Sequence, residues 1–216
     1  MKHSVFTIGH SNHTQGRLID LLRQHGITAV CDVRSSPYSR NNPQFNRETL
    51  KEGLRSAGIA YVFLGKELGA RSDDPGCYEN GKVQYDRLAA TQLFQQGLER
   101  VQKGTEKYRL VIMCAEREPL ECHRTILVSR YLVTRGADVQ HIHPDGRLER
   151  HADTLNRLMR QLNVHGDDMF RSREELVADA YKLQEERIAY TRTASIVTEL
   201  ESTRGPMDED FYDRLY

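Results

Sequence analysis

Residues 110–124 read LVIMCAEREPLECHR, and the fold turns on how that stretch is read. Its first five residues form an unbroken apolar run, as in a strand buried on both faces. A charged, proline-bearing turn follows, and a helix is expected to restart at or just after Glu121. Such a strand–loop–helix sets its loop at the carboxyl end of the strand, against the positive end of the next helix, where open α/β sheets keep their ligands. Cys114, Glu116, Arg117, Glu118, Cys122, His123 and Arg124 all fall in that short connection. This is more reactive chemistry than an ordinary connection carries.

Outward from this stretch the same alternation repeats. Strand-like runs at 4–8 (SVFTI), 27–33 (ITAVCDV), 59–64 (IAYVFL) and 139–142 are separated by helical stripes. The stripes are Leu18, Ile19, Leu21 and Leu22; Leu50 and Leu54; Leu88, Leu93, Phe94, Leu98 and Val101 within 85–102; Ile126, Leu127, Tyr131 and Leu132; and Leu155, Leu158, Met159 and Leu162 within 151–162. Strand–helix alternation demands a mainly parallel sheet with right-handed crossovers. Residues 65–85, rich in Gly, Asp and turn pairs, read as an excursion from it.

From about Val164 the apolar positions thin out. The chain therefore divides into an α/β domain over 1–163 and a charged helical extension over 164–216. In the extension, Leu176, Ala180, Leu183 and Ile188 make a stripe that docks on the body or, as a homodimer contact, on a second subunit. The other reading is a solvated helix with a frayed acidic end, MDEDFYDRLY.

Composition limits the function. Among 216 residues, 31 Lys and Arg balance 31 Asp and Glu, so no global charge directs the chain to nucleic acid or membrane. No apolar run approaches the roughly 20 residues that span a bilayer, and the N-terminus lacks the apolar core of a signal peptide. The cysteines Cys31, Cys77, Cys114 and Cys122 form no CxxC pair. Reduced thiols in the cytoplasm are the expectation.

In a parallel sheet the loops after the strands gather on one edge. That edge should hold His10, Ser11 and His13, then Asp32, Arg34, Ser35 and Ser36, then Glu67 and Arg71, then Cys114, Glu116, Cys122, His123 and Arg124, with His141 and His143 beside them. This convergence is the main functional signal. Helix-terminus amides and the cationic neighbours His123 and Arg124 would favour a Cys122 thiolate, and hence a nucleophile; the plainer reading is a packed cysteine at the first helical turn. Cys114, ending an apolar run, reads as a core thiol, or as a redox partner of Cys122 if the loop folds back. Asp32 and Arg34 fall on one side of the extended chain. They form either a buried brace or an anion-binding arginine oriented by its aspartate. Ser36, Tyr38, Ser39 and Arg40 add donors suited to phosphate or carboxylate.

Several alternatives lack their residues. A cysteine phosphatase or rhodanese cradle places an arginine a few residues after the nucleophile, but the sixth residue after Cys114 is Leu120 and after Cys122 is Val128. GxxxxGK[ST] and GxGxxG are both missing, so no nucleotide cofactor is assigned. His10, His13, Cys122, His123, His141 and His143 are legal metal ligands, but they lack HxxxH or CxxC spacing, and the sequence assigns no metal.

The motifs TIGHS (7–11), DVRSSPYS (32–39), GIAYVFLGKELG (58–69) and CAEREPLECHR (114–124), followed by His141 and Ile142, together resemble domain-of-unknown-function family 488. The resemblance covers roughly 4–145. It implies a Rossmann-like α/β fold, an open, mainly parallel sheet with helices on both faces. It also marks His10, Ser11, Asp32, Arg34, Pro37, Ser39, Glu67, Cys114, Glu116, Cys122, His123 and Arg124 as motif positions. One departure is Lys66, in LGKELG where LGGELG is expected.

The resulting expectation is an enzyme acting on an anionic, nucleotide-like or modified-base substrate. Arg34 and Arg124 would hold the anion, assisted by His10, Ser11, Ser36, Ser39, Glu67 and Arg71. Cys122 and His123 would supply the chemistry, oriented by Asp32 and Glu116. The competing classes are a non-catalytic module binding a nucleic-acid fragment and a thiol redox sensor.

Overall fold

A computed structural model of the chain describes residues 4–164 and 171–192. The strands, in chain order, are β1 (Ser4–Gly9), β2 (Ala29–Asp32), β3 (Ala60–Phe63), β4 (Tyr78–Glu79), β5 (Lys82–Val83), β6 (Leu110–Cys114), β7 (Asp138–Ile142) and β8 (Leu148–Arg150). Six of them form one sheet of order β3-β2-β6-β1-β7-β8. All its pairings are parallel except that of β8 with β7. Because β6 lies between β1 and β2, the loops after these three strands emerge side by side at the carboxyl edge. The chain leaves β1 toward β2 and leaves β6 toward β7. These connections diverge, and a ligand crevice belongs where they part.

The helices are α1 (Gln15–Gln24), α2 (Arg47–Ser56), α3 (Gly65–Leu68), α4 (Tyr85–Ala90), α5 (Gln92–Thr105), α6 (Arg130–Thr134), α7 (His151–Gln161) and α8 (Arg173–Ile188). Strand alternation sorts the core into two layers. Phe6, Ile8, Val30, Val111 and Met113 pack with Leu18, Leu21, Leu22, Leu50 and Leu54 of α1 and α2. Val5, Cys31, Leu110, Ile112 and Cys114 pack with Phe94, Leu98 and Val101 of α5 and with residues of α7 and α8. The sheet is thus open, mostly parallel and covered on both faces.

Three local features differ from the sequence reading. The stripe over 85–102 is two helices, because Thr91 leaves helical geometry and its side chain caps α5 by accepting from the Phe94 N–H. The excursion contains a hairpin whose turn, Asn80–Gly81, holds both residues at positive φ. That geometry suits the Asn-Gly pair. The turn after β7 returns as β8, which the short polar run LER does not announce.

Within the charged extension, α8 begins with a capping box, Ser172 with Glu175. Leu176 and Ala180 are buried as expected, but Leu183 is 47% exposed, and Tyr181, Gln184 and Glu185 go inward instead. Gln184 donates to the Leu120 carbonyl at 2.9 Å, and Glu185 accepts from the Tyr85 N–H at 2.6 Å. The acidic end 207–216 lies outside the described residues.

A buried polar string ties α8 to the sheet. Thr7 Oγ1 lies 2.7 Å from His141 Nδ1, His141 Nε2 lies 3.0 Å from His151 Nδ1, and His151 Nε2 lies 2.7 Å from the Tyr181 hydroxyl. Among the described residues, no helix is long and apolar enough to cross a membrane.

Candidate functional site

The loop after β6 folds back over the end of its own strand. Cys114 is the last residue of β6. The chain then makes a short turn at Pro119–Glu121, runs extended through Cys122, and enters a π-helical turn at Arg124–Ser129 before α6. Cys122 therefore precedes the helix rather than sitting inside its first turn. Single π-turns often mark functional positions. Here Ser129 Oγ donates to the Arg124 carbonyl at 2.7 Å, and the Thr125 and Ile126 N–H groups both converge on the Cys122 carbonyl.

The fold-back brings four side chains together. Cys114 Sγ and Cys122 Sγ each lie 2.9 Å from Glu116 Oε2. His123 Nδ1 lies 3.6 Å from Cys114 Sγ and 4.0 Å from Cys122 Sγ. All four donor atoms fall within 4.8 Å of one another, an arrangement able to hold a metal ion. His123 is fixed from behind by its Nε2, 3.0 Å from the Val33 carbonyl. The Arg124 N–H points at Cys122 Sγ at 3.5 Å. Cys114, Cys122 and His123 are buried, whereas Glu116 is exposed as a residue although its carboxylate reaches both sulfurs.

The four groups compete for protons. Burial, then the contact with Cys122, pushes the Cys114 thiol well above its ordinary range. Burial alone would do the same to Cys122. The hydrogen bond from Cys114 and the positive charges of Arg124 and His123 outweigh it and bring that thiol well down. Burial and the neighbouring Cys122 raise Glu116, while contact with Cys122 and Glu116 raises His123 against its burial. Such a set titrates as a unit.

The family model described as "Domain of unknown function DUF488" matches residues 14–131 of the 216. The chain belongs to that family. No curated protein and no solved structure matches it. The DUF488 match contains Cys114, Glu116, Cys122, His123 and the loop after β2. The TIGHS motif, β7 and α8 lie beyond it.

Outside the cluster, the residues expected at the site divide into supports and outliers. Arg34, 5% exposed, is held by Asp32 (Nε–Oδ1 2.9 Å, Nη2–Oδ2 2.6 Å), by the Phe45 carbonyl and by His10 Nε2 at 3.2 Å. Asp32 also accepts from the Tyr61 hydroxyl at 2.8 Å. Arg124 is fully buried and donates to the Glu116 and Arg117 carbonyls at 2.7 and 3.2 Å. The two arginines expected to grip an anion thus brace the loops. A ligand would first have to displace these bonds.

His10 stacks on Phe45 with ring centroids 4.2 Å apart, and burial, then Arg34, lowers its pKa to about 4. Ser11 adopts positive φ and donates its N–H to the Ala115 carbonyl, extending the β1–β6 pairing into the site. Ser39 fixes its own loop by accepting from the Asn42 N–H, and Ser36 is half-buried there. Glu67 pairs with Arg100, and Arg71 lies over the Tyr190 ring. Neither is among the four clustered groups.

The sequence reading named Cys114 and Arg117 without assigning them to the site, and it missed Tyr85 and Arg17. Cys114 is a core residue and a cluster member at once. Tyr85 sits close enough that, after burial, Cys122 is the next cause raising its phenol. The exposed Arg117 and Arg17 both act electrostatically on His13, whose pKa burial and these two arginines lower.

Proposed function

We propose that the protein is an enzyme acting on a small anionic substrate of the nucleotide or modified-base class, with its chemistry carried by Cys114, Glu116, Cys122 and His123. The observation that supports this most directly is that two buried thiols meet one carboxylate oxygen beside an oriented imidazole, at the carboxyl ends of adjacent parallel strands. Groups this reactive are seldom gathered by packing alone.

Glu116 is the exposed member, so the substrate approaches from its side. Arg117, next in the chain and exposed, supplies positive charge at that mouth, in place of the internally bound Arg34 and Arg124. Tyr38, 42% exposed on the loop after β2, offers an aromatic face for a base. In this role Glu116 orients or exchanges a proton, and His123 holds its position through Val33.

The test is turnover against a panel of nucleoside phosphates and modified nucleotides. Cys122→Ser should abolish turnover and leave substrate affinity within a few-fold, while Arg117→Ala should raise KM with kcat nearly unchanged. Oligonucleotide binding with a steep salt dependence and no turnover would favour the non-catalytic module instead. The nearness of the two thiols supports a redox sensor as a second reading. That reading requires a mass loss of two hydrogens after mild oxidant.

A further inference from the structure

We propose that Cys114, Cys122 and His123, closed by Glu116, form a binding site for one zinc-class divalent cation. The proposal deepens the enzymatic reading by naming the cofactor, and its geometric basis stands without that reading.

The spacing of the donor atoms is the first argument. A tetrahedral zinc ion with bonds of about 2.0–2.3 Å keeps its ligand atoms roughly 3.3–3.8 Å apart. The sulfur-to-imidazole separations are 3.6 and 4.0 Å, and the whole set lies within 4.8 Å. The sulfur-to-carboxylate distances of 2.9 Å would have to open by about 0.6 Å, a shift within reach of the exposed Glu116 side chain.

The orientation of His123 is the second. Its Nε2 is engaged by a backbone carbonyl, which leaves the Nδ1 lone pair facing both sulfurs. This is the outer contact that metal-bound histidines commonly make. The Arg124 N–H directed at Cys122 Sγ suits a thiolate ligand in the same way.

Charge is the third argument and does not depend on ligand spacing. Arg124 is wholly buried, its hydrogen bonds go to carbonyls, and its Nε has no partner. It makes no ion pair among the described residues. A buried cation with no carboxylate partner needs negative charge close by. Two thiolates and a carboxylate around a dication carry a net charge of minus one beside it, which balances Arg124 and agrees with its pull on the Cys122 thiol.

The donor set also selects the ion. Paired thiolates with imidazole favour zinc and its cobalt analogue over magnesium or calcium, which prefer oxygen. Three ligands are buried and one is exposed. Glu116 is therefore the ligand that water or substrate would replace, as in catalytic sites that keep one exchangeable position.

The full-length chain, stripped with chelator under reducing conditions, is titrated with zinc against a chromophoric chelator and separately with cobalt(II). The expected result is one equivalent bound, with thiolate-to-cobalt absorption and the intense visible bands of a tetrahedral ion. Cys114→Ser, Cys122→Ser and His123→Gln should each weaken binding at least about a hundredfold, while Cys31→Ser retains it. Glu116→Gln should keep the metal with a changed cobalt spectrum. The wild-type titration decides even if a cysteine variant misfolds: a folded, reduced wild-type chain that binds neither ion overturns the proposal. Turnover that persists in metal-free protein overturns the ion's role as cofactor and leaves the enzymatic reading standing. Metal bound at one equivalent without turnover on any substrate upholds the site and defeats that reading.

Discussion

Gly9 lies directly beneath the Glu116 carbonyl: a Cβ at position 9 would come within 1.8 Å of that oxygen and 3.3 Å of the Arg117 Cα. The end of β1 and the loop after β6 approach backbone to backbone, with no flexible side chain between them to yield. Gly9→Ala should cost at least about 2–3 kcal/mol and displace Glu116 from the two sulfurs, read by urea denaturation and by thiol accessibility. Gly16→Ala is the control. Nothing lies within 4 Å of its Cβ position in α1, so stability should stay level or rise by up to about 1 kcal/mol.

Asp32→Ala should destabilise by about 3–5 kcal/mol, because it leaves Arg34 buried without its fork partner. The double variant Asp32→Ala, Arg34→Met should recover part of that loss. If Asp32→Ala melts like the wild type, Arg34 is not a brace, and its role as an anion ligand returns.

Stability should fall on acidification between about pH 6.5 and 4. Burial lowers His151 from 6.5 to about 4, and burial, then the neighbouring His151, holds His141 well down. Above about 6.5 both residues are neutral folded and unfolded, and pH has no effect through them. Below it the unfolded chain binds protons that the native state refuses, so unfolding is favoured until the folded pKa is passed. His151 alone should contribute about 3 kcal/mol of loss. Denaturant melts across that range are the measurement, and His151→Gln should flatten the curve. Glu149 acts lower: burial opposes its ionisation, but Arg157 and His143 hold it at about 2, so its contribution is lost between about 4.5 and 2.

Gln184→Ala should cost about 1–2 kcal/mol by orphaning the buried Leu120 carbonyl. It should also loosen the loop bearing Cys122. Hydrogen exchange around residues 120–124 should accelerate more than exchange in β1. Equal rates there would remove α8 from any part in holding the site.

The parallel order of strands and helices was legible because periodicity is local. The apolar run 110–114 and the stripes at Leu18–Leu22 and Leu50–Leu54 specify element type without reference to neighbours. Burial and partner choice are not local. Arg34 and Arg124 read as ligand-binding cations from their place at strand ends, and only the packed loops show their donors already engaged. Cys114 read as core because it ends an apolar strand, which is true. Its sulfur nevertheless faces a loop that returns eight residues later, and metal-spacing rules built on short hairpins and helices do not register that return. Docking of α8 on the body was one of two readings and rests on Leu176 and Ala180 as expected, but the inward turn of Tyr181, Gln184 and Glu185 escaped, because polar side chains add nothing to an apolar stripe.

The string from Thr7 to Tyr181 carries a sense of direction. With His141 and His151 both neutral, each ring owns a single proton, so donation runs either from Thr7 outward at every link or from Tyr181 inward at every link. A mixed arrangement would set two donors or two lone pairs face to face. The tautomer of a histidine in the sheet is thereby coupled to the hydroxyl rotamer of a tyrosine on the last described helix. That information crosses three layers of the protein through the exchange of hydrogen positions, with no displacement of any heavy atom.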